Sequence, residues 1–124
     1  MARILVVGAA GRAGELASSG HVVEEADGVD PDRLATLTPR LEGVTVVCWL
    51  FGDAGPEALH GDRLASLIEY LVDTPVRAFV YERSAAHPGG EEIVARAERT
   101  FRLPCAVLSP GDDLAEAVER VLAG

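Results

Sequence analysis

Residues 3–14 read RILVVGAAGRAG, an apolar run that passes directly into a glycine-rich segment. The run Ile4–Val7 is continuous and rich in valine, which predicts a strand buried on both faces. Glycines at positions 8, 11 and 14 then form a G-x-x-G-x-x-G pattern. Such a pattern brings a backbone turn and a helix N-terminus against a pyrophosphate. Gly8 would make the tight turn, Gly11 would let the backbone approach the phosphate, and Gly14 would let the helix pack closely on the strand.

The rest of the chain alternates short apolar runs with helical patterns, without repeats or linkers. Further strands are predicted over residues 21–25, 44–51, 76–81 and 105–108, and helices over residues 31–41, 55–72, 91–101 and 112–122. Such alternation implies a parallel sheet with helices on both faces. The sequence therefore predicts a single α/β domain over residues 1–124, a three-layer Rossmann-like sandwich with a mainly parallel sheet of about five strands. Right-handed crossovers place the carboxyl ends of the strands, where ligands bind, at one edge.

The first crossover is short. Residues 8–21 just meet the 10 to 12 residues, approximately, that a strand–helix–strand crossover needs. Ser18 and Ser19 are poor helix formers. The first helix is therefore expected to be stunted or partly unwound. The glycine loop then has two interpretations: a working dinucleotide site, or a relic that merely turns the chain.

The charged residues exclude several classes of function. The chain has 20 acidic and 11 basic residues and a net charge of -9, which argues against binding to nucleic acid. All the basic residues are arginine, and there is no lysine. A Walker-type phosphate loop, Schiff-base chemistry and a Tyr-x-x-x-Lys dehydrogenase dyad all need a lysine, so none of them is available.

The opening segment, residues 3–14, resembles that of atypical and extended short-chain dehydrogenases, the NAD(P)-binding epimerase/dehydratase-like proteins. Residues 75–82 (PVRAFVYE) are similar to the strand that precedes the catalytic loop in that family, and residues 44–52 (VTVVCWLFG) resemble its fourth strand. The resemblance implies a bound NAD or NADP. The residues implied in cofactor binding, all at the carboxyl edge of the sheet or after the second strand, are Gly8, Ala10, Gly11, Arg12, Gly14, Glu24, Gly52 and Ser84.

The chain also departs from that family. The family's catalytic tyrosine and lysine have no counterpart, and neither does its C-terminal substrate region. Ser84 lies where a catalytic serine would follow the strand, but a serine alone abstracts no proton. The sequence therefore predicts a minimal NAD(P)-binding-like domain that lacks dehydrogenase catalysis. The alternative is a non-catalytic interaction or regulatory paralogue that has lost cofactor binding.

The choice between NAD and NADP depends on charged residues near the second strand and the glycine loop. Glu24, Glu25 and Asp27 are the candidates for holding the ribose hydroxyls, and an acid there favours NAD. Arg12 points the other way, because its guanidinium could grip a 2′-phosphate. A solvated strand end and a surface arginine are the alternative interpretations. Gly52 begins a loop that, in cofactor-bound relatives, passes near the nicotinamide ribose; a plain turn is equally consistent.

A weaker hypothesis is a small enzyme that uses the loop after the fourth strand. Ser84 and His87 could act as nucleophile and base, provided that they lie within hydrogen-bond reach. No G-x-S-x-G elbow is present. His21 and His60 have no second ligand nearby, so no metal site is expected.

Other expectations concern the environment of the chain. Cys48 and Cys105 lie in apolar runs and are expected to be free thiols in the core. No apolar run reaches the roughly 18 residues of a membrane span, and no signal peptide is apparent, so a cytoplasmic protein without membrane contact is expected. A small sheet leaves an exposed edge strand, which homodimer formation could cover.

Overall fold

The computed structural model describes residues 2–8, 12–16, 20–26, 33–51 and 57–123. These residues form five strands: β1 (Arg3–Gly8), β2 (Val22–Glu25), β3 (Val46–Leu50), β4 (Ala78–Glu82) and β5 (Cys105–Leu108). They also form four α-helices: α1 (Leu34–Leu37), α2 (Asp62–Leu71), α3 (Gly89–Phe101) and α4 (Leu114–Ala123). Short 3₁₀ helices cover Arg12–Leu16, Thr38–Arg40 and Glu57–His60.

The strands form one parallel sheet in the order β2-β1-β3-β4-β5. The chain leaves β1, pairs β2 on one side of it, and then returns to pair β3 on the other side. This reversal makes the gap between β1 and β3 the topological switch point of the sheet, the place where ligands bind in open α/β folds. The predicted α/β sandwich with about five parallel strands is confirmed.

Alternate residues of the strands point to opposite faces of the sheet and pack into two apolar cores, one on each face. On one face, Leu5, Val47, Trp49 and Phe79 are buried against α1, α2 and α3. On the other face, Ile4, Val6, Cys48 and Val80 are buried against α4 and Leu16. Both faces of β1, β3 and β4 are therefore covered, which is why these strands read as continuous apolar runs rather than as alternating ones.

The helices depart from the sequence prediction in two places. The helix expected from residue 55 to 72 is interrupted at Gly61, whose φ of -133° and ψ of -114° are not helical; a 3₁₀ turn precedes it and α2 begins at Asp62. In the described part of the helix expected over residues 31–41, α1 is four residues long and is followed by a 3₁₀ turn that contains Pro39. Proline has no backbone N–H to continue the α-helical hydrogen bonds.

The first crossover is as short as the sequence predicted. Its described helical part is the 3₁₀ segment Arg12–Leu16, which buries only Leu16. None of the helices in the described ranges combines the length and the apolarity that a bilayer crossing requires.

Candidate functional site

The carboxyl edge of the sheet begins at Gly8, the last residue of β1. Gly8 has a φ of 112°, a conformation that side chains rarely adopt. A Cβ there would lie 2.7 Å from the carbonyl oxygen of Leu50, at the end of the neighbouring strand β3. Both conditions require glycine. The first glycine of the motif is therefore fixed by the turn it makes at the switch point.

Arg12 opens the 3₁₀ segment after this turn, and its guanidinium joins three parts of the chain. Its Nε donates to Glu15 Oε2 at 2.7 Å, and a terminal nitrogen donates to the carbonyl oxygen of Asp112 at 2.6 Å. The other terminal nitrogen forms an ion pair with Glu82, at the end of β4. The side chain of Arg12 is 15% exposed and that of Glu82 only 7%. Arg12 thus links the first crossover to the end of β4 and to the turn between β5 and α4.

The contact between Arg12 and Glu15 shifts the pKa values of both groups. The hydrogen bond to Glu15 raises the pKa of Arg12, and the same bond lowers the pKa of Glu15. The guanidinium is therefore a permanent cation and Glu15 is a carboxylate near neutral pH. The donors predicted to grip a phosphate are already directed at protein oxygens, and two of the three acceptors are carboxylates.

The structure does not bring all the predicted cofactor residues together. Gly14 lies on the exposed 3₁₀ segment, and a Cβ there would meet no described atom within 4 Å. Close packing on the strand is therefore not what places a glycine at this position. Ala10, Gly11 and Gly52, together with Asp27, lie outside the described residues.

Glu24 lies apart from the Arg12 cluster. Its carboxylate accepts a hydrogen bond at 3.3 Å from Arg3, the first residue of β1, and therefore reaches toward the amino edge of the sheet. The neighbouring Glu25 ends β2, and its carbonyl oxygen accepts a hydrogen bond from Arg40 at 2.6 Å. Of these two acids, Glu25 is the nearer to the carboxyl edge.

Ser84 is 3% exposed, two residues beyond Glu82. Its Oγ accepts a hydrogen bond from the backbone N–H of Ala86 at 3.2 Å, and its carbonyl oxygen accepts one from the N–H of His87, also at 3.2 Å. These bonds build the tight turn that follows β4. The imidazole of His87 stacks on that of His60, with ring centroids 5.4 Å apart.

Sequence reasoning missed the buried pair of His60 and Tyr81. Nδ1 of His60 lies 2.5 Å from the hydroxyl of Tyr81, and both residues are buried. A Cβ on Gly90, in the first turn of α3, would lie 1.9 Å from that hydroxyl. Burial raises the pKa of Tyr81 to about 12, so the hydroxyl stays protonated. No local pattern indicates this contact, because the two residues are 21 positions apart in sequence.

Cys48 lies in the core as expected, whereas Cys105 is only partly buried against it. Cys48 is buried in the core, and burial raises its pKa to about 12. Cys105 is half-buried, its thiol donates to the carbonyl oxygen of Leu103 at 3.1 Å, and burial likewise raises its pKa to about 12. Both are free thiols. Within the described ranges, no group of three His, Cys, Asp or Glu side chains is placed to hold a metal ion.

Comparison with protein-family models, with curated proteins and with solved structures gives no match for this chain. The Rossmann-like shape rests on the sheet itself: five parallel strands with helices on both faces.

Proposed function

We propose that this chain is a minimal dinucleotide-binding domain that takes NAD or NADP at the carboxyl edge of β1 and β3 and carries out no dehydrogenase chemistry. The observation that supports it is the position of Gly8. This glycine combines a left-handed φ with a backbone approach to Leu50 at the switch point, where doubly wound folds bind nucleotides. Arg12, four residues further on, is the cation nearest to this turn in sequence.

In this proposal the pyrophosphate replaces the carboxylates of Glu15 and Glu82 as the partner of Arg12. A guanidinium holds phosphate through the same forked geometry that it uses for carboxylate. A bound pyrophosphate would therefore take hydrogen bonds that Arg12 now gives to Glu15 and Glu82. Displacing Glu82 costs free energy, because its carboxylate is buried and loses its cationic partner. We accordingly expect weak binding, in the micromolar range or above.

The lack of catalysis follows from the available acids and bases. The chain has no lysine and only two tyrosines. Tyr81 is fully buried against His60, and the hydroxyl of Tyr70, on α2, lies 2.9 Å from Thr38 Oγ1. The Tyr81 hydroxyl is enclosed by His60 and Gly90, and the Tyr70 hydroxyl belongs to the last turn of α2, away from the carboxyl edge, so neither is placed to exchange a proton with a substrate. The proposal therefore covers binding alone.

The second candidate is an interaction or regulatory domain that keeps the fold without the cofactor. The engagement of Arg12 favours it. All three guanidinium nitrogens already donate to protein oxygens, and Glu82 adds a buried negative charge beside the place a pyrophosphate would occupy. In this case the cluster serves only to hold the first crossover against the end of β4 and the turn that precedes α4.

Calorimetric titration of NAD, NADH, NADP and NADPH into the protein separates the two candidates. Gly14→Asp and Gly14→Asn form a matched pair, since no described atom restricts a Cβ there and the two side chains differ mainly in charge. We expect one dinucleotide to bind to the wild type, Asp at position 14 to weaken it by repulsion, and Asn to leave it nearly unchanged. Glu82→Gln should tighten binding, because it removes the competing charge. No heat with any of the four at millimolar concentration would refute the dinucleotide proposal.

A further inference from the structure

An apolar groove of about 240 Å³ runs between α2 and α3, on the face of the sheet opposite α4. Its described lining includes Ile68 and Glu69 from α2, and Ile93, Arg96 and Phe101 from α3. This groove lies on the outer surface of the two helices, away from the Arg12 cluster. It therefore needs an explanation that the carboxyl edge does not supply.

Two exposed apolar side chains lie in or beside the groove: Phe101 lines it, and Val72 follows the lining residue Ile68 by about one helical turn. Phe101, the last residue of α3, is 37% exposed, and Val72, directly after α2, is 47% exposed. They are two of the four large apolar residues that the described part of the chain exposes. Single exposed apolar residues are ordinary, but a groove continued by two of them is the kind of surface that partners cover.

Two opposite charges lie within this otherwise apolar surface. Arg96 contacts Glu92 at 3.7 Å, an ion pair in which both side chains are more than two-thirds exposed. No described side chain pairs with Glu69. Exposed pairs of this kind contribute little, so both Glu69 and Arg96 remain available to a partner.

The parallel sheet places these two charges on neighbouring helices. α2 and α3 follow the neighbouring strands β3 and β4, so the helices run side by side in the same direction. Glu69 is the eighth residue of α2, counted from Asp62, and Arg96 is the eighth residue of α3, counted from Gly89. Both side chains line the groove, one on each side of it.

This arrangement is complementary to itself. A twofold axis parallel to the helices places α2 of one copy over α3 of the other, so that Glu69 meets Arg96 of the second copy, and the contact occurs twice. An axis across the helices would instead place α2 on α2 and bring Glu69 toward a second Glu69. The charges thus favour the twofold axis that is parallel to the helices, and the apolar groove supplies the contact area.

We propose that the α2–α3 groove binds a second copy of this chain, with Glu69 of each copy paired to Arg96 of the other. The edge strand β5 is less suited to the same task. At the start of the edge strand β5, the backbone N–H of Cys105 donates to Glu98 Oε2 at 2.7 Å, which occupies a donor that another strand would need.

Sedimentation equilibrium over a range of protein concentrations tests the proposal. We expect the wild type to be a dimer, and both Glu69→Arg and Arg96→Glu to raise its dissociation constant at least about tenfold, because each puts like charges together twice. The double variant should dimerise as the wild type does. Arg120→Glu and Glu116→Arg, on α4 at the opposite face, carry the same charge changes and should have no effect.

Mixing the two single variants is the sharpest test. The Glu69→Arg variant has an arginine at both positions, and the Arg96→Glu variant has a glutamate at both. A mixed dimer therefore contains two pairs of opposite charge, whereas a dimer of either variant alone contains two pairs of like charge. We expect the mixture to dimerise where each variant alone is monomeric. A wild type that stays monomeric at every concentration overturns the proposal and points to a different protein as the occupant. A dimer whose dissociation constant is unchanged by the charge reversals overturns the proposal too.

Discussion

Replacing Gly90 with alanine tests the buried contact between α3 and β4. The new Cβ would lie 1.9 Å from the hydroxyl oxygen of Tyr81 and 2.7 Å from its Cζ. The ring of Tyr81 is fully buried and bonded to His60, so it cannot swing out to solvent. Overpacking of this kind costs about 1–3 kcal/mol, and a disturbed hydrogen bond to His60 about 1 kcal/mol more.

Gly89→Ala is the matched control, because it lies one residue earlier in the same helix turn and its Cβ meets no described atom within 4 Å. We expect this change to alter the free energy of unfolding by less than about 1 kcal/mol. Gly90→Ala should lower it by about 3 kcal/mol, read from urea unfolding curves. Equal stability of the two variants would refute the reasoning.

A double variant assigns the cost to the hydroxyl. Tyr81→Phe removes the atom at 1.9 Å but keeps the ring carbon at 2.7 Å. In that background, Gly90→Ala should cost at least about 1 kcal/mol less than it does in the wild type. Strict additivity of the two changes would mean that the clash is relieved by movement of the helix rather than borne by Tyr81.

Three further predictions concern ionisable groups. Because their pKa values are raised to about 12, Cys48 and Cys105 should react with iodoacetamide at pH 8 far more slowly than a free thiol does, and at the ordinary rate once unfolded in urea; fast labelling of the native chain would contradict this. Because Arg12 lowers the pKa of Glu15, this pair stabilises the fold above the unfolded carboxyl's pKa of about 4.3 and loses its effect as the pH falls through the lower, folded value. Unfolding curves of the wild type and Glu15→Gln should therefore converge on acidification, and a gap that widens would contradict the assignment. Arg12→Met should destabilise the fold by about 2–4 kcal/mol, since it leaves Glu82 buried without its cation, and adding Glu82→Gln should restore part of the loss; no restoration would mean that the arginine acts through packing alone.

Most of the strands and helices could be predicted from local sequence patterns. Ile4–Val7 and Cys105–Leu108 are apolar runs long enough for a buried strand, and the structure places strands there. The spacing of Leu64, Leu67, Ile68 and Leu71 gave the buried face of α2. Periodicity did not locate the break at Gly61: the apolar stripe begins only at Leu64, and Leu59, the buried residue before the break, lies off it.

The candidate site was harder to predict, since its contacts join residues far apart in sequence. Arg12 and Glu82 are 70 positions apart, and nothing local to either residue indicates the pairing. Only the strand order brings the end of β4 to the first crossover. The hydrogen bond from Arg3 to Glu24 is a second contact of this kind, since the two residues are 21 positions apart in sequence.

The most direct test of the central claim is to follow the backbone amides by ¹H–¹⁵N NMR while NADH and NADPH are added. A dinucleotide at the carboxyl edge should shift the amide signals of Gly8, Arg12, Gly14 and Ser84 in a saturable way and leave those of the α2–α3 groove unchanged. Spectra that stay unaltered at millimolar dinucleotide, or shifts confined to residues away from that edge, would contradict the claim and leave the domain with a protein partner in place of a cofactor.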